Sequence, residues 1–415
     1  MPADDQLHQL YNQATAHLDP PLAIVDLAAF DRNTADMARR ANGHPIRIAT
    51  KSVRCRHLIG RALGHPGYYA LMAYSLPEAL WLHEQGLSED ILVAYPTVDR
   101  QALGRLGADP RARQHITLVV DEEAHLNLIG QTTGSSADSP IRVCLELDVS
   151  WVPTRAIYVG TRRSPLHTPE QAQAFARTVA GHKNLKLVGV MGYEGQIAGL
   201  GDAPPHRPAR AQAIRFIQKR SVPELRARRE RAIELIKQVA DLEFVNGGGT
   251  GSLETTREDR SVTELAAGSG LVGPTLFDAY TRFRPQPALL FALPVTRKPS
   301  QDVVTLFAGG YVASGTGTKD RLPRPYLPSG LSLIDMEGAG EVQTPVKGAA
   351  ARTLRPGDRV WMRHAKAGEL AERFTHYYLV DEAGQVTQVP TYRGEGQSFG
   401  LSFSQLARSA GQSCG

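Results

Sequence analysis

Residues 45–107 read PIRIATKSVRCRHLIGRALGHPGYYALMAYSLPEALWLHEQGLSEDILVAYPTVDRQALGRLG, and their pattern decides the fold. Short apolar runs lie at 46–50, 67–71 and 91–94, and each precedes a segment whose apolar residues have helical spacing. Such runs are typical of buried strands, and strands that alternate with helices indicate a parallel sheet with helical crossovers. This stretch therefore predicts three consecutive βα units.

The same alternation continues along the chain. Five further apolar runs, separated by helical stretches, lie at 116–120, 141–148, 185–191, 242–246 and 263–272. Eight βα units predict a TIM (β/α)8 barrel, whose active sites lie at the carboxyl ends of the strands. One more strand, 22–26, precedes the first unit and fits either the barrel or the domain that follows it.

The sequence pattern changes after Tyr280. Pro-rich segments are followed by short alternating runs such as GDRVWMRH at 357–364, with frequent turn residues between them. This pattern predicts a mainly-β domain. We expect the last residues, AGQSCG, to be frayed. The predicted organisation is an N-terminal segment, a barrel and a C-terminal β domain, at 1–26, 27–284 and 285–415.

Composition and charge exclude several classes of protein. Of 415 residues, 42% are hydrophobic and 21% charged, which is near the globular average and excludes wholesale disorder and a coiled-coil rod. The net charge of +5 is small, and the most basic stretch, 207–231, has helical spacing of its apolar residues and one aromatic, Phe216. Nucleic-acid sites combine basic residues with several exposed aromatics. A solvated helical face is therefore favoured here, and no nucleic-acid partner is expected.

The cysteines and the N-terminus indicate the compartment. Cys55, Cys144 and Cys414 are odd in number, widely spaced and without a CxxC pair, so neither a disulfide framework nor a structural zinc site is indicated. The N-terminus carries two acids where a signal peptide needs bases, and no apolar run reaches the ~18 residues of a membrane span. We expect a cytoplasmic protein without a membrane segment.

Lys51 is the first candidate for chemistry. It ends the first barrel strand, where a TIM barrel holds its active site. A lysine at a strand end can form a Schiff base with an aldehyde cofactor. The alternative is an ordinary lysine whose stem packs and whose ammonium reaches water.

The second candidate is FVNGGGTGS, 244–252, directly after the seventh strand. Its glycines allow close approach of the backbone to an anion, and successive N–H groups can then hold a phosphate. Phosphate sites recur after strands seven and eight of TIM barrels, and GSG at 268–270 can complete such a site. The alternative is a flexible turn.

The third candidate is VGVMGYEGQ, 188–196, which ends the sixth strand. The phenol of Tyr193 could hydrogen-bond to a substrate or relay protons. The alternative is that Tyr193 only packs in a capped loop.

Together these motifs resemble the fold type III pyridoxal-phosphate enzymes, the family of the alanine racemase N-terminal barrel. The resemblance covers nearly the whole chain, and it is closest to the branch of D-threonine aldolase, D-serine dehydratase and bacterial amino acid deaminase/aldolase sequences. A strand ending in Asp26, then Asn33 and Lys51, follows the opening pattern of the family. GYEGQ matches its tyrosine motif, NGGGTGS its phosphate loop and TELAAGSG its eighth strand.

The resemblance implies roles for individual residues. Lys51 would form the Schiff base with pyridoxal 5'-phosphate and transfer protons, and Tyr193 would face the substrate side of the cofactor ring. An arginine after the fifth strand, Arg162 or its neighbour Arg163, would lie near the ring, unless both are surface arginines of a crossover. The implied phosphate-binding residues are Gly248, Gly249, Thr250, Gly268 and Ser269.

The motif RHAKAGE, 363–369, lies where that branch has a divalent-metal motif. His364 matches the metal-binding histidine, but Lys366 stands where relatives have cysteine or aspartate. A protonated lysine does not ligate and repels a cation. Glu369 could replace the missing ligand, so His364 and Glu369 are a doubtful metal pair, and we favour a metal-independent site.

The resemblance implies a homodimeric pyridoxal-phosphate-dependent lyase of amino acid metabolism. Its expected substrates are small β-hydroxy amino acids of D configuration, which it cleaves as an aldolase or dehydratase, with Lys51, Tyr193 and His364 as catalytic residues. One alternative is an amino acid racemase, which needs a second base, for which Tyr311, Tyr326 and Tyr377 are available. Another is a non-catalytic pyridoxal-phosphate-binding protein. Fold analogy alone does not decide among these activities.

Overall fold

The computed structural model describes residues 4–205 and 207–399. Contacts within the chain group these residues into two compact units. The barrel unit consists of residues 37–51 and 63–268 with 398–399, and the sheet unit consists of residues 4–36, 52–62 and 269–397. The domain boundaries that the sequence predicts, after residues 26 and 284, stay predictions. The expected fraying of AGQSCG and the residue Cys414 lie outside the described residues.

The strands are numbered in chain order. They are β1 Leu22–Asp26, β2 Ile46–Ala49, β3 Tyr68–Ala73, β4 Ile91–Val93, β5 Ile116–Val120, β6 Ile141–Glu146, β7 Trp151–Thr154, β8 Ile157–Val159, β9 Leu185–Gly192, β10 Phe244–Gly247, β11 Glu264–Ala267, β12 Leu289–Ser300, β13 Val303–Phe307, β14 Arg324–Leu327, β15 Leu331–Leu333, β16 Gln343–Gly348, β17 Arg359–Arg363, β18 His376–Val380 and β19 Val386–Pro390.

The helices are numbered in the same way. They are α1 Asp4–Ala14, α2 Leu27–Ala41, α3 Arg56–Leu63, α4 Leu76–Glu84, α5 Arg100–Ala108, α6 Pro110–His115, α7 Glu123–Thr133, α8 Pro169–Gly181, α9 Gly195–Ala198, α10 Pro208–Lys237 and α11 Leu253–Thr256. Short 3-10 helices lie at Thr50–Ser52, Ser269–Leu271, Thr275–Ala279, Lys319–Arg321, Ala349–Arg352, Glu369–Glu372 and Arg393–Glu395.

The barrel unit contains a closed barrel in the order β2-β3-β4-β5-β6-β9-β10-β11, and β11 pairs with β2 to close it. Every neighbouring pair is parallel, which confirms the predicted TIM barrel. All residues of β4, β5 and β11 are buried, as expected of strands covered on both faces. A hydrophobic cluster joins β4, β5, β6 and β10 through Leu92, Val119, Cys144 and Phe244.

A buried ion pair supports the closure of the barrel. Arg47 of β2 is fully buried, and its guanidinium donates to Glu264 of β11 at 2.9 Å and to Asp90 at 2.7 Å. Asn246 of β10 donates to the same Glu264 carboxylate at 2.7 Å. A buried charge is tolerated only when it is paired, so these contacts fix the register of β10, β11 and β2.

The sheet unit contains a mainly antiparallel sheet in the order β15-β16-β13-β12-β1-β18-β19, with β17 paired to β12 and β14. This confirms the mainly-β C-terminal architecture. The early strand β1, which fits either domain by sequence, pairs antiparallel with β12 and parallel with β18. Its neighbour in the core, Tyr11, donates a hydrogen bond to Asp26 at 2.6 Å and packs edge-on against Trp361.

Two sequence predictions differ from the structure in detail. The strand predicted at 263–272 covers only Glu264–Ala267, and the chain then turns into the 3-10 helix Ser269–Leu271. Position 268 requires glycine, because an added Cβ would be 2.5 Å from the Ala49 carbonyl oxygen. The predicted basic helix is α10, and most of its arginines are exposed, but Arg229 is buried. Within the described residues, no helix combines the length and apolar character that a membrane span requires.

Candidate active site

Lys51 lies in the 3-10 turn that directly follows β2, at the carboxyl end of a barrel strand. Its side chain is exposed, and Nζ donates a hydrogen bond to the hydroxyl of Tyr95 at 2.7 Å. Tyr95 follows β4, and the sequence reasoning did not single it out. The pair places a primary amine and a phenol at the mouth of the barrel, where TIM-barrel chemistry takes place.

Arg163 lies against two tyrosine rings of this site. Its Cζ is 5.5 Å from the ring centroid of Tyr95 and 5.1 Å from that of Tyr193. Burial raises the pKa of Tyr95, but the charges of Lys51 and Arg163 outweigh burial, so the pKa falls below its ordinary value. Burial raises the pKa of Tyr193, and here Arg163 only reduces the effect. The two phenols therefore differ in acidity.

The other predicted arginine, Arg162, has a different environment. Its Cζ stacks 4.2 Å from the ring centroid of Tyr158, on the hairpin formed by β7 and β8. Arg163, not Arg162, is the arginine beside Tyr95 and Tyr193.

The glycine loop, 247–252, begins at the end of β10. Gly248 has φ +85°, a left-handed conformation that favours glycine. An added Cβ on Gly249 would lie 3.0 Å from the Cβ of Ala198 and 3.2 Å from a ring carbon of Tyr193. The structure thus brings the glycine loop and the tyrosine motif together.

Two N–H groups of this loop already have partners in the protein. The N–H of Gly248 donates to Glu194 at 2.7 Å, and the N–H of Gly249 donates to the Ser252 hydroxyl at 3.1 Å. Thr250 is buried, and its carbonyl accepts from Arg40 at 2.7 Å. The loop is therefore held by Glu194 and Ser252 and packs closely against Tyr193.

Glu194 anchors the loop through a buried network that the sequence did not reveal. Its carboxylate pairs with Arg229 at 2.6 Å, and Arg229 pairs with Asp259 at 2.8 Å. All three side chains are buried. Glu194 thus joins the tyrosine motif, the glycine loop and helix α10.

Glu146 adds a carboxylate to the strand ends. It is the last residue of β6 and is buried. Burial raises its pKa to about 7, and repulsion from Asp121 and Asp148 adds to this, while Arg163 opposes it. A carboxyl with such a pKa can hold or release a proton near neutral pH.

The remaining predicted residues belong to the sheet unit. Ser269 follows Gly268 in the chain, and its hydroxyl lies 3.4 Å from that of Ser52. His364 is buried, and its Nδ1 donates to the Leu289 carbonyl at 3.1 Å. Within the described residues its Nε2 has no hydrogen-bond partner. Burial and the charge of Arg363 lower its pKa to about 3, so the ring is neutral.

The residues considered for a metal, Glu369 and its neighbour Lys366, both contact Ser314. The Glu369 carboxylate accepts from the backbone N–H of Ser314 at 2.9 Å, and the Lys366 ammonium donates to the hydroxyl of the same Ser314 at 2.7 Å. Among residues 4–205 and 207–399, no group of three or more His, Cys, Asp or Glu side chains is arranged to hold a metal ion. We therefore derive no step through a metal.

The three tyrosines considered for a racemase also lie in the sheet unit. Tyr377 is buried, which raises its pKa, and within the described residues its hydroxyl has no partner. Tyr311 packs against Phe291 and Phe374, and Tyr326 is partly buried. Burial raises the pKa of both, so none of the three is predisposed to act as a base.

Residues 25–274 match the family model of the alanine racemase N-terminal domain, so the chain belongs to this family, whose enzymes are of fold type III and use pyridoxal phosphate. The match confirms the resemblance drawn from the sequence. Lys51 fits this cofactor as an exposed amine at a strand end, and the glycine loop and Tyr193 lie beside each other.

The relatives are aldolases. The chain is 26% identical to D-threonine aldolase of an Arthrobacter species over 301 residues, 71% of this chain and 72% of the relative. It is 26% identical to 3-hydroxy-D-aspartate aldolase of Paracoccus denitrificans over 262 residues, 61% of this chain and 60% of the relative. Its fold is similar to that of D-threonine aldolase from Filomicrobium marinum, with a TM-score of 0.71, 20% identity, and coverage of 91% of this chain and 96% of that one. These relatives confirm the predicted enzyme class, a pyridoxal-phosphate-dependent lyase.

Proposed function

We propose that this enzyme cleaves small β-hydroxy amino acids of D configuration, with Lys51 as the Schiff-base lysine. The observation that carries the proposal is the Lys51–Tyr95 hydrogen bond at a strand end, beside Arg163 and Tyr193. The names of the aldolase relatives support the substrate class.

Different residues of the chain would bind the aldehyde, the ring and the phosphate of the cofactor. Lys51 would hold the cofactor aldehyde, and Arg163 with Tyr193 would lie at its ring, the position for which Arg162 and Arg163 are both candidates by sequence. Gly248, Gly249, Thr250, Gly268 and Ser269 would hold the phosphate. When bound, pyridoxal phosphate supplies an electron sink for the bonds at the substrate Cα.

Lys51, Tyr95 and Glu146 are the residues that we expect to transfer protons. The Nζ of Lys51 would accept or return a proton, and the acidic phenol of Tyr95 at 2.7 Å could exchange that proton with it. Glu146, whose pKa lies near neutral pH, can accept the proton of a substrate hydroxyl. His364 stays in the proposal as a catalytic residue without a metal.

Assays with D-threonine, D-serine and D-alanine test the function. An aldolase gives aldehyde and glycine, and a dehydratase gives ammonia and a keto acid. Inverted amino acid would identify a racemase, and no product with any substrate would favour a non-catalytic pyridoxal-phosphate-binding protein. The proposal includes a homodimer in the cytoplasm, and light scattering coupled to size exclusion tests the dimer.

A further inference from the structure

A cavity of about 480 Å³ opens in the barrel unit beside the β7–β8 hairpin. Its lining includes Tyr158, Arg162, Arg163, Asp148 and His167. Arg163 is also the residue that touches Tyr95 and Tyr193. The cavity therefore adjoins the site proposed for the reaction through Arg163, while Asp148, Tyr158, Arg162 and His167 line only the cavity.

The two guanidinium groups of this cavity are held by aromatic rings rather than by acids. Arg162 stacks on Tyr158, and Arg163 lies over Tyr95 and Tyr193. Both arginines are exposed, and over the part of the chain that the structure describes neither guanidinium has a hydrogen bond or an ion pair. Stacking fixes the plane of a guanidinium while its N–H groups stay available for a planar carboxylate.

The acidic wall of the cavity serves to position Arg162. The carboxylate of Asp148 accepts from the Ser150 N–H at 3.0 Å, from the Tyr158 hydroxyl at 3.0 Å and from His167 Nδ1 at 2.9 Å. Asp148 is thereby occupied, and it anchors the ring on which Arg162 stacks. Glu122, the other acid of the lining, is exposed at the start of α7.

We propose that this cavity binds a carboxylate at the far end of the substrate side chain, with Arg162 as its principal ligand. The inference rests on the proposed function, and it names the substrate class as β-hydroxy amino dicarboxylates. A guanidinium and a carboxylate form two parallel charged hydrogen bonds, which the methyl group of a threonine side chain does not offer. Arg162 is then a residue for specificity, distinct from the Schiff-base lysine.

The test compares 3-hydroxy-D-aspartate with D-threonine for wild type, Arg162→Gln and Arg155→Gln. Arg155 is the matched control, because it is an exposed arginine of the same hairpin that does not line the cavity. We expect wild type to prefer 3-hydroxy-D-aspartate in kcat/KM, and Arg162→Gln to lower this preference about 10- to 100-fold, the effect of losing charged hydrogen bonds. The loss should appear mainly in KM, and Arg155→Gln should keep the preference. Equal kcat/KM losses for both substrates, or no change, would overturn the proposal.

A binding measurement separates this proposal from the lyase function. D-aspartate and D-alanine lack the β-hydroxyl, so their binding to the holoenzyme can be followed by the visible spectrum without cleavage. We expect wild type to bind D-aspartate more tightly than D-alanine, and Arg162→Gln to lose that advantage. Tighter D-aspartate binding without cleavage of any substrate would overturn only the lyase function. Cleavage of D-threonine together with equal binding of both ligands would overturn only the carboxylate site.

Discussion

The glycine loop of the barrel unit and the segment around His364 in the sheet unit both contain buried polar groups, but they satisfy them differently. Around the loop, Glu194 and Asp259 both pair with Arg229, and Glu194 also accepts from the Gly248 N–H. At His364, Nδ1 has a carbonyl partner, whereas Nε2 has none within the described residues. A fully paired network fixes geometry, while an unpaired buried atom costs stability. The loop is therefore fixed in one conformation, whereas Nε2 of His364 keeps a lone pair without a partner within the described residues.

Lys51→Ala should have the largest effect of any substitution. The variant should lose the visible absorbance of the Schiff base and covalent trapping of cofactor by borohydride, and its turnover should fall by about 10³-fold or more, because its amine is both anchor and base. Lys186→Ala is the control, since Lys186 is exposed and pairs with Glu243. Trapping at wild-type level in Lys51→Ala would disprove the assignment.

Glu194→Ala tests whether the paired network fixes the loop. Removal of Glu194 leaves Arg229 paired with Asp259 alone, and the buried guanidinium loses one charged hydrogen bond, which costs about 1–3 kcal/mol. Cofactor should bind more weakly as well, because the Gly248 N–H loses its acceptor. Thermal melting of the apo-protein and a cofactor titration measure the two effects. Glu234→Ala is the control, because its pair with Arg231 is more than half exposed and should contribute little.

Glu146 predicts a pH dependence of stability. Its pKa rises from 4.5 to about 7 in the folded protein, so the folded state keeps the proton that the unfolded state releases above pH 4.5. This group therefore lowers stability as pH rises from 4.5 to 7, by about 3 kcal/mol at most. Glu146→Gln should melt at a higher temperature than wild type at pH 8 and at nearly the same temperature at pH 4.5. An equal difference at both pH values would contradict the shifted pKa.

Replacement of Gly248 and Gly249 by alanine should act more on the cofactor than on the fold. The left-handed φ of Gly248 costs a side chain about 1 kcal/mol. The Cβ added at Gly249 would press on Ala198 and on the ring of Tyr193, the residue proposed to lie at the cofactor ring. A cofactor titration should therefore show a larger loss than apo-protein melting. Gly104→Ala is the control, because nothing lies within 4 Å of its added Cβ, and equal losses of affinity and stability would make the loop merely structural.

The sequence predicts the features that depend on local pattern. Apolar runs mark the eight barrel strands, and Lys51 and the glycine loop stand at strand ends, where a TIM barrel places its chemistry. Arg229 could not be found in this way, because it lies in a basic stretch of α10 and its partners Glu194 and Asp259 are 35 and 30 residues away. Tyr95 likewise meets Lys51 across 44 residues. Nothing local distinguishes these side chains from exposed ones.

Removal of metal ions by a chelator should have the smallest effect. It tests the segment around His364, with which the glycine loop was compared. A divalent cation at His364 would need further ligands, but the described residues contain no group of three or more His, Cys, Asp or Glu side chains arranged to hold one, and the ammonium of Lys366 reaches Ser314 beside Glu369. The ammonium charge would repel a cation there. We therefore expect chelators to leave turnover unchanged, while His364→Ala impairs it. Complete inactivation by chelator, reversed by zinc or manganese, would show that the free lone pair of His364 serves a metal after all. Full activity of His364→Ala would instead remove this segment from the active site.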